Sequence, residues 1–128
     1  MIVVDASAVV AILQTEIGYE RIAEKLLVWE DRRISPISWV EVTLALARKY
    51  ADPAAIADAY LLRTAIKMHG IDSDQAELAR YAYMTFGKGR HPARLNIGDC
   101  FSYAAAKALN APLLYVGDDF AKTDIRAA

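Results

Sequence analysis

Five acidic residues, Asp5, Glu41, Asp99, Asp118 and Asp119, sit where a carboxylate invites a chemical question. Asp5 ends an apolar β-branched run, Ile2-Val3-Val4. Asp118 and Asp119 close a second apolar run, residues 113–116, after Gly117. Glu41 and Asp99 each follow a helix-capping residue, Ser38 or Asn96, by three positions. Brought together, such groups would repel one another unless a cation neutralised them. Mg²⁺ takes oxygen ligands at about 2.0–2.1 Å and keeps several waters. In such a site it supplies a hydroxide nucleophile, polarises a phosphorus centre and stabilises a leaving oxygen, and two ions about 3.5–4 Å apart divide these tasks. That chemistry needs no histidine or lysine as a base.

Each acid also has a structural explanation. Glu41 and Asp99 fit the third helical position, which favours acids through capping boxes and the helix dipole. Asp118-Asp119 fits an ordinary turn. Asp5 is harder to explain away, because a carboxylate between an apolar strand and an apolar helix risks costly burial. The set persuades more than any member.

The elements that would position these acids follow from the pattern. Ile2–Val4 reads as a buried strand and Ala6–Leu13 as a short helix. A helix over 18–29 and a brief strand over 33–35 follow. Ser38 with Glu41 predicts a capping box for a helix over 38–50. Asp52-Pro53 opens another helix, ended by Gly70, with Ala55, Ala59, Leu62 and Ile66 as its core stripe. Residues 72–75 cap the next helix, striped by Ala79, Ala82, Tyr83 and Phe86. Residues 87–94 read as a polar loop. Asn96 caps a helix over 96–110 with Phe101, Ala104, Ala105 and Ala108 inward, and 113–116 is a strand. Strands separated by helices imply crossovers, a mainly parallel sheet and helices on both faces. Sites in such sheets form at the carboxyl ends of the strands, where these acids map.

The bulk numbers set limits. A chain of 128 residues suits one domain, 1–128, with one core. With 55% hydrophobic and 24% charged residues it is expected to be globular. Fifteen basic and sixteen acidic residues give a net charge of -1, so any phosphate contact must come from a local patch. The single cysteine, Cys100, excludes an intramolecular disulfide and leaves a Cys/His zinc site short of ligands. No stretch resembles a signal peptide or a bilayer span, so a cytoplasmic protein without membrane contact is expected.

Four segments resemble the PIN-domain family, and within it the VapC-type toxins of toxin–antitoxin pairs. They are Ile2-Val3-Val4-Asp5-Ala6-Ser7-Ala8, Ser38-Trp39-Val40-Glu41, Leu95-Asn96-Ile97-Gly98-Asp99-Cys100, and Leu114-Tyr115-Val116-Gly117-Asp118-Asp119-Phe120 with Thr123-Asp124-Ile125. The third and fourth are specific; a strand ending in Asp is not. The resemblance implies a three-layer α/β/α fold and a Mg²⁺- or Mn²⁺-dependent endoribonuclease. It also implies a homodimer and inhibition by a cognate VapB-type antitoxin. By motif match Asp5, Glu41 and Asp99 carry over as the main acids. The fourth is Asp119, with Asp118 as the alternative. Ser7 and Asn96 are supporting positions.

Lys88, Arg90 and Arg94, in the loop before Asn96, are placed to hold a phosphate backbone beside the acids. A merely solvated loop explains them equally well. His91 reads as a surface residue, Cys100 as a small buried one, and Trp29 and Trp39 as packing groups rather than base-stacking platforms. The apolar 54–68 segment reads as core, a dimer face or an antitoxin groove. Two other functions stay open. One is a phosphohydrolase with Asp5 as nucleophile, against which Ser7 stands where the haloacid-dehalogenase-like pattern has a second Asp. The other is a non-catalytic module that binds RNA or protein.

Overall fold

The computed structural model describes residues 1–128. In chain order the elements are β1 (Ile2–Val4), α1 (Ala6–Leu13), α2 (Tyr19–Leu27), β2 (Arg32–Ile34), α3 (Pro36–Leu46) and α4 (Pro53–Arg63), then β3 (Ile66–Met68), α5 (Ser73–Phe86), α6 (Ile97–Ala108), β4 (Leu113–Leu114) and a 3₁₀ turn, Phe120–Lys122. The sheet order is β3-β2-β1-β4 and every pairing is parallel. Val4 lies opposite Ile34 on one side and Leu114 on the other.

Alternation along the strands divides the interior in two. Ile2, Val4, Ile34 and Leu114 face one side, where they pack with Val9 of α1, Leu26 of α2, Val42 and Leu46 of α3, and Tyr60 and Leu61 of α4. Val3 and Leu113 face the other, against Ala79 and Ala82 of α5 and Cys100, Tyr103 and Ala104 of α6. The result is the expected three-layer α/β/α arrangement around a parallel sheet. β1, covered on both faces, is accordingly a wholly apolar and wholly buried run. Tyr103, inside this second core, donates its hydroxyl to Asp124 at 2.8 Å, and Lys107 pairs with the same carboxylate at 2.9 Å. That pins the chain beyond β4.

Three expectations need correction. The helix from Pro53 does not reach Gly70: it stops at Arg63, and Ile66 belongs to the edge strand β3. Ala65 turns the chain at φ 53, a left-handed stop made without the usual glycine or asparagine. Arg32 donates to the Thr64 carbonyl and so satisfies a helix-end acceptor. The buried face of α4 is Ala57, Tyr60 and Leu61, while Ala55, Ala59 and Leu62 are exposed, Leu62 by 85%. The cap of α3 is Ser35, whose hydroxyl accepts from Ile37 N–H, with Pro36 at the first helical position. Ser38 lies inside the helix, so Glu41 is no capping residue. Finally, Ala108 and Tyr83 are exposed, and the last strand keeps only Leu113–Leu114.

Candidate active site

β1 delivers Asp5 to the carboxyl edge of the sheet, where it caps α1 in an extended conformation (φ -80, ψ 155). The residue is 4% exposed. Oδ2 accepts the Ser7 N–H at 2.9 Å and the Ser7 hydroxyl at 2.6 Å. Oδ1 accepts the Ser102 hydroxyl at 2.6 Å. Ser7 Oγ in turn accepts from Val116 N–H at 3.0 Å, which ties the segment after β4 to the site. Ser7 thus links the Asp5 carboxylate to the backbone after β4. Three of the carboxylate's four or so acceptor positions are filled, and one on Oδ1 stays free.

Glu41 projects from α3, the helix that begins where β2 ends. Its carboxylate lies against Gly98 in the first turn of α6, and a methyl group on Gly98 would overlap it. Burial raises the Glu41 carboxyl to about 7, and the charges of Asp5 and Asp99 push in the same direction. Asp99 and Asn96 form a reciprocal capping box, with Asp99 N–H to Asn96 Oδ1 at 2.9 Å and Asn96 N–H to Asp99 Oδ2 at 3.0 Å. Burial raises Asp99 to about 6; the Asn96 backbone bond opposes this, and the charges of Asp5 and Asp119 add to it. Asp99 therefore caps its helix and faces the site at once.

These side chains line a cavity of about 440 Å³ that includes Asp5, Ser7, Glu16, Glu41, Asn96 and Asp99. No lysine or arginine is among its walls. Asp118 and Asp119 stand outside it and are exposed. Of the two, Asp119 is the one whose charge raises Asp99. Lys88, Arg90 and Arg94 are exposed on the neighbouring loop and do not line the cavity. That loop is not slack. Gly87 and Leu95 bridge its ends, Lys88 N–H reaches Leu95 O at 3.0 Å, and His91 Nδ1 accepts from Ala93 N–H at 3.0 Å. The His91 ring meets Phe86 edge-on with centroids 5.2 Å apart, so it closes the loop from within instead of lying free on the surface.

Sequence reasoning missed Glu16, Ser102 and the roles of Ser38 and Gly98. Glu16 follows the helix end at Thr15, where φ is 49, and nothing in its local pattern marks it. Ser102 had a legible signal: a hydroxyl between Phe101 and Tyr103, just ahead of an alanine run and three positions after Asp99 on the same helix.

The donor set can be tested against a divalent cation. It is all oxygen, which suits Mg²⁺ or Mn²⁺ and not a soft metal. No three of the His, Cys, Asp or Glu side chains are close enough to grip one bare ion together. They surround a volume with room for several waters instead, and Mg²⁺ is the ion that keeps its waters. Burial raises the Glu41 and Asp99 carboxyls, and no basic side chain lines the cavity beside them. The residues fit a hydrated cation.

The PIN domain family model matches residues 2–126. Ribonuclease VapC30 of Mycobacterium tuberculosis is 43% identical over 124 residues, covering 96% of this chain and 95% of that one. Ribonuclease VapC of Mycolicibacterium smegmatis is 40% identical over 126 residues, 98% of each. Among solved structures, the sarcin-ricin loop cleaving toxin VapC20 of Mycobacterium tuberculosis superposes with a TM-score of 0.78 at 20% identity, over 100% of this chain and 98% of that one. FitAcB of Neisseria gonorrhoeae gives 0.70 at 19% identity, over 99% and 96%. At such identities the structures support the fold alone. With the family model spanning nearly every residue and VapC relatives at 40–43% identity, this chain belongs to the PIN-domain family, among its VapC-type members.

Proposed function

We propose that the chain is a Mg²⁺- or Mn²⁺-dependent endoribonuclease, the toxic half of a toxin–antitoxin pair. The observation that carries the chemistry is the all-oxygen cavity at the sheet edge, with Glu41 raised to about 7 and Asp99 to about 6 and no internal counter-charge. The choice of RNA as substrate draws on the relatives, which are named ribonucleases.

Asp5, Glu41 and Asp99 would hold the cation, directly or through its waters, and Asp119 would close the open side. When bound, the cation lowers the pKa of water and stabilises charge on the phosphate. The protein's own residues do the rest. Ser7 and Ser102 hold Asp5 in one orientation. Asn96 fixes the start of α6 and so the position of Asp99. Glu41 or Asp99, whichever made no direct contact with the cation, would in its ionised form be able to accept a proton from a nearby water. Lys88, Arg90 and Arg94 would grip the RNA backbone, from a loop tied by His91 and the Gly87–Leu95 bridge.

A VapB-type antitoxin is the expected inhibitor. Two solved structures of similar fold are a toxin-antitoxin complex from Klebsiella pneumoniae and a VapBC2 assembly from Rickettsia felis. Exposed Val40 and Leu44 on α3, and Leu62 on α4, offer apolar surface for such a partner. A homodimer is part of the same reading, with Tyr83 and Ile97, exposed at an apolar cleft between α5 and α6, as available contact groups. A cytoplasmic location accords with it; no helix is long and apolar enough to cross a membrane.

The test is to incubate the purified chain with an RNA panel and with a generic phosphomonoester, with and without EDTA, and to sequence the cleavage ends. Metal-dependent internal cleavage of RNA supports the reading. Activity on the phosphomonoester alone would favour the aspartyl-nucleophile alternative, and RNA binding indifferent to EDTA, without cleavage, would favour a binding module.

A further inference from the structure

Two buried hydroxyls behind the carboxylates are unexplained by capping or core packing. Ser38 and Ser102 are both fully buried, and their Oγ atoms are 2.8 Å apart, across residues 64 positions distant in sequence. The Ser102 hydroxyl has one proton, and it donates that proton to Asp5 Oδ1 at 2.6 Å. The Ser38–Ser102 contact must therefore run the other way, with Ser38 donating to Ser102. The chain is directional: Ser38 to Ser102 to Asp5.

Its placement is as informative as its direction. Ser38 precedes Glu41 by three residues on α3, and Ser102 follows Asp99 by three residues on α6. Residues three apart share a helix face. The hydroxyl pair thus lies one helical turn from the Glu41 and Asp99 carboxylates, on the same faces, and joins the two helices that carry them. Its far end reaches the strand-end carboxylate. Valine or alanine at these positions would pack well in so apolar a setting; buried hydroxyls are kept only where they have partners. Hydrogen bonds to charged groups are among the stronger ones, and a donor chain polarises along its length.

We propose that Ser102 and Ser38 are positioning residues for the carboxylate site: Ser102 orients Asp5 so that its free Oδ1 position faces the cavity, and Ser38 acts through Ser102 while keeping α3 and α6 in register. The role in holding a cation rests on the proposed function above; the orientation of Asp5 does not.

The test uses S102A, S38A and S38A/S102A with three readouts. The first is the side-chain carboxyl ¹³C shift of Asp5 by NMR in EDTA. S102A moves it clearly, S38A moves it less, and the double variant matches S102A, because Ser38 has no other route to Asp5. The second is Mn²⁺ affinity by calorimetry, where S102A weakens binding by about 10- to 100-fold, the scale known for groups that orient metal ligands, and S38A by a few-fold. The third is RNA cleavage, where kcat falls with KM little changed. An unmoved Asp5 resonance in S102A, or S38A effects that multiply with those of S102A, overturns the positioning chain. If the resonance behaves as stated while the unaltered protein neither binds Mn²⁺ nor cuts RNA, the chain stands and the proposed function falls. Should S102A fold poorly, the S38A resonance alone decides, since an unshifted Asp5 there removes the relay.

Discussion

Glu41→Gln is expected to make the metal-free protein more stable while abolishing its activity. Burial, then the charges of Asp5 and Asp99, raise Glu41 from 4.5 to about 7. The folded state therefore binds the Glu41 proton more tightly than the unfolded chain does. Below pH about 4.5 both states are protonated and nothing is lost. As pH rises from there to about 7, the folded state is progressively penalised, and above 7 the penalty is constant. At about 1.36 kcal/mol per unit the ceiling is roughly 3 kcal/mol. Glu41 borders a solvent-filled cavity and is only partly buried, so screening reduces this to about 1–2 kcal/mol. For a chain of this size that is a melting-temperature rise of roughly 3–8 °C. The assay is thermal unfolding in EDTA at pH 8 and at pH 4.5, beside RNA cleavage with Mg²⁺. E41Q should gain at pH 8, show little gain at pH 4.5, and not cleave. An E41Q protein that melts at or below the unaltered protein at pH 8 would refute the electrostatic reasoning, as would an equal gain at both pH values.

Other outcomes follow from the same geometry. Mg²⁺ should raise the melting temperature, by the equivalent of about 2.7 kcal/mol at a hundred times its Kd, and more at pH 8 than at pH 5 because Glu41 and Asp99 must be unprotonated to bind it; circular dichroism melts at the two pH values check this. Gly98→Ala should fold normally, since the group it displaces is the flexible end of Glu41, yet cleave at least 10-fold more slowly; unchanged cleavage would show that Glu41 need not lie against α6. Replacing Lys88, Arg90 and Arg94 together by Gln should raise KM for RNA with kcat little altered and flatten the log–log salt dependence by about 2, from roughly 0.7 per phosphate contact; an unchanged slope would mean these side chains do not touch RNA.

The sequence made the sheet edge legible because Asp5 is a local contradiction: a carboxylate between two apolar elements. Asn96 with Asp99 was legible as a box, and the structure shows that it caps and faces the site together. Glu41 was legible through its motif, but its place in the helix was not: no capping box forms at Ser38, because Pro36 and Ser35, two and three positions earlier, start that helix. The termination of α4 was illegible: Ala65 adopts a left-handed turn that its side chain disfavours, held by Arg32 from a distant strand. Ile66 then continues a plausible helical stripe by coincidence of spacing. Glu16 and the Ser38–Ser102 pair were hidden because their meaning lies in tertiary contacts across α1, α3 and α6. The three-letter strand β3, with Lys67 at its centre and solvent on one side, carries too little apolar pattern to announce itself.

The most direct measurement is RNA cleavage by the purified chain and by Asp5→Asn and Asp99→Asn, each with Mg²⁺ and with EDTA, alongside circular dichroism of all three. The unaltered chain should cleave only with the metal, and both variants should fold but not cleave. Cleavage persisting in EDTA, or retained with Mg²⁺ in both variants, would contradict that expectation.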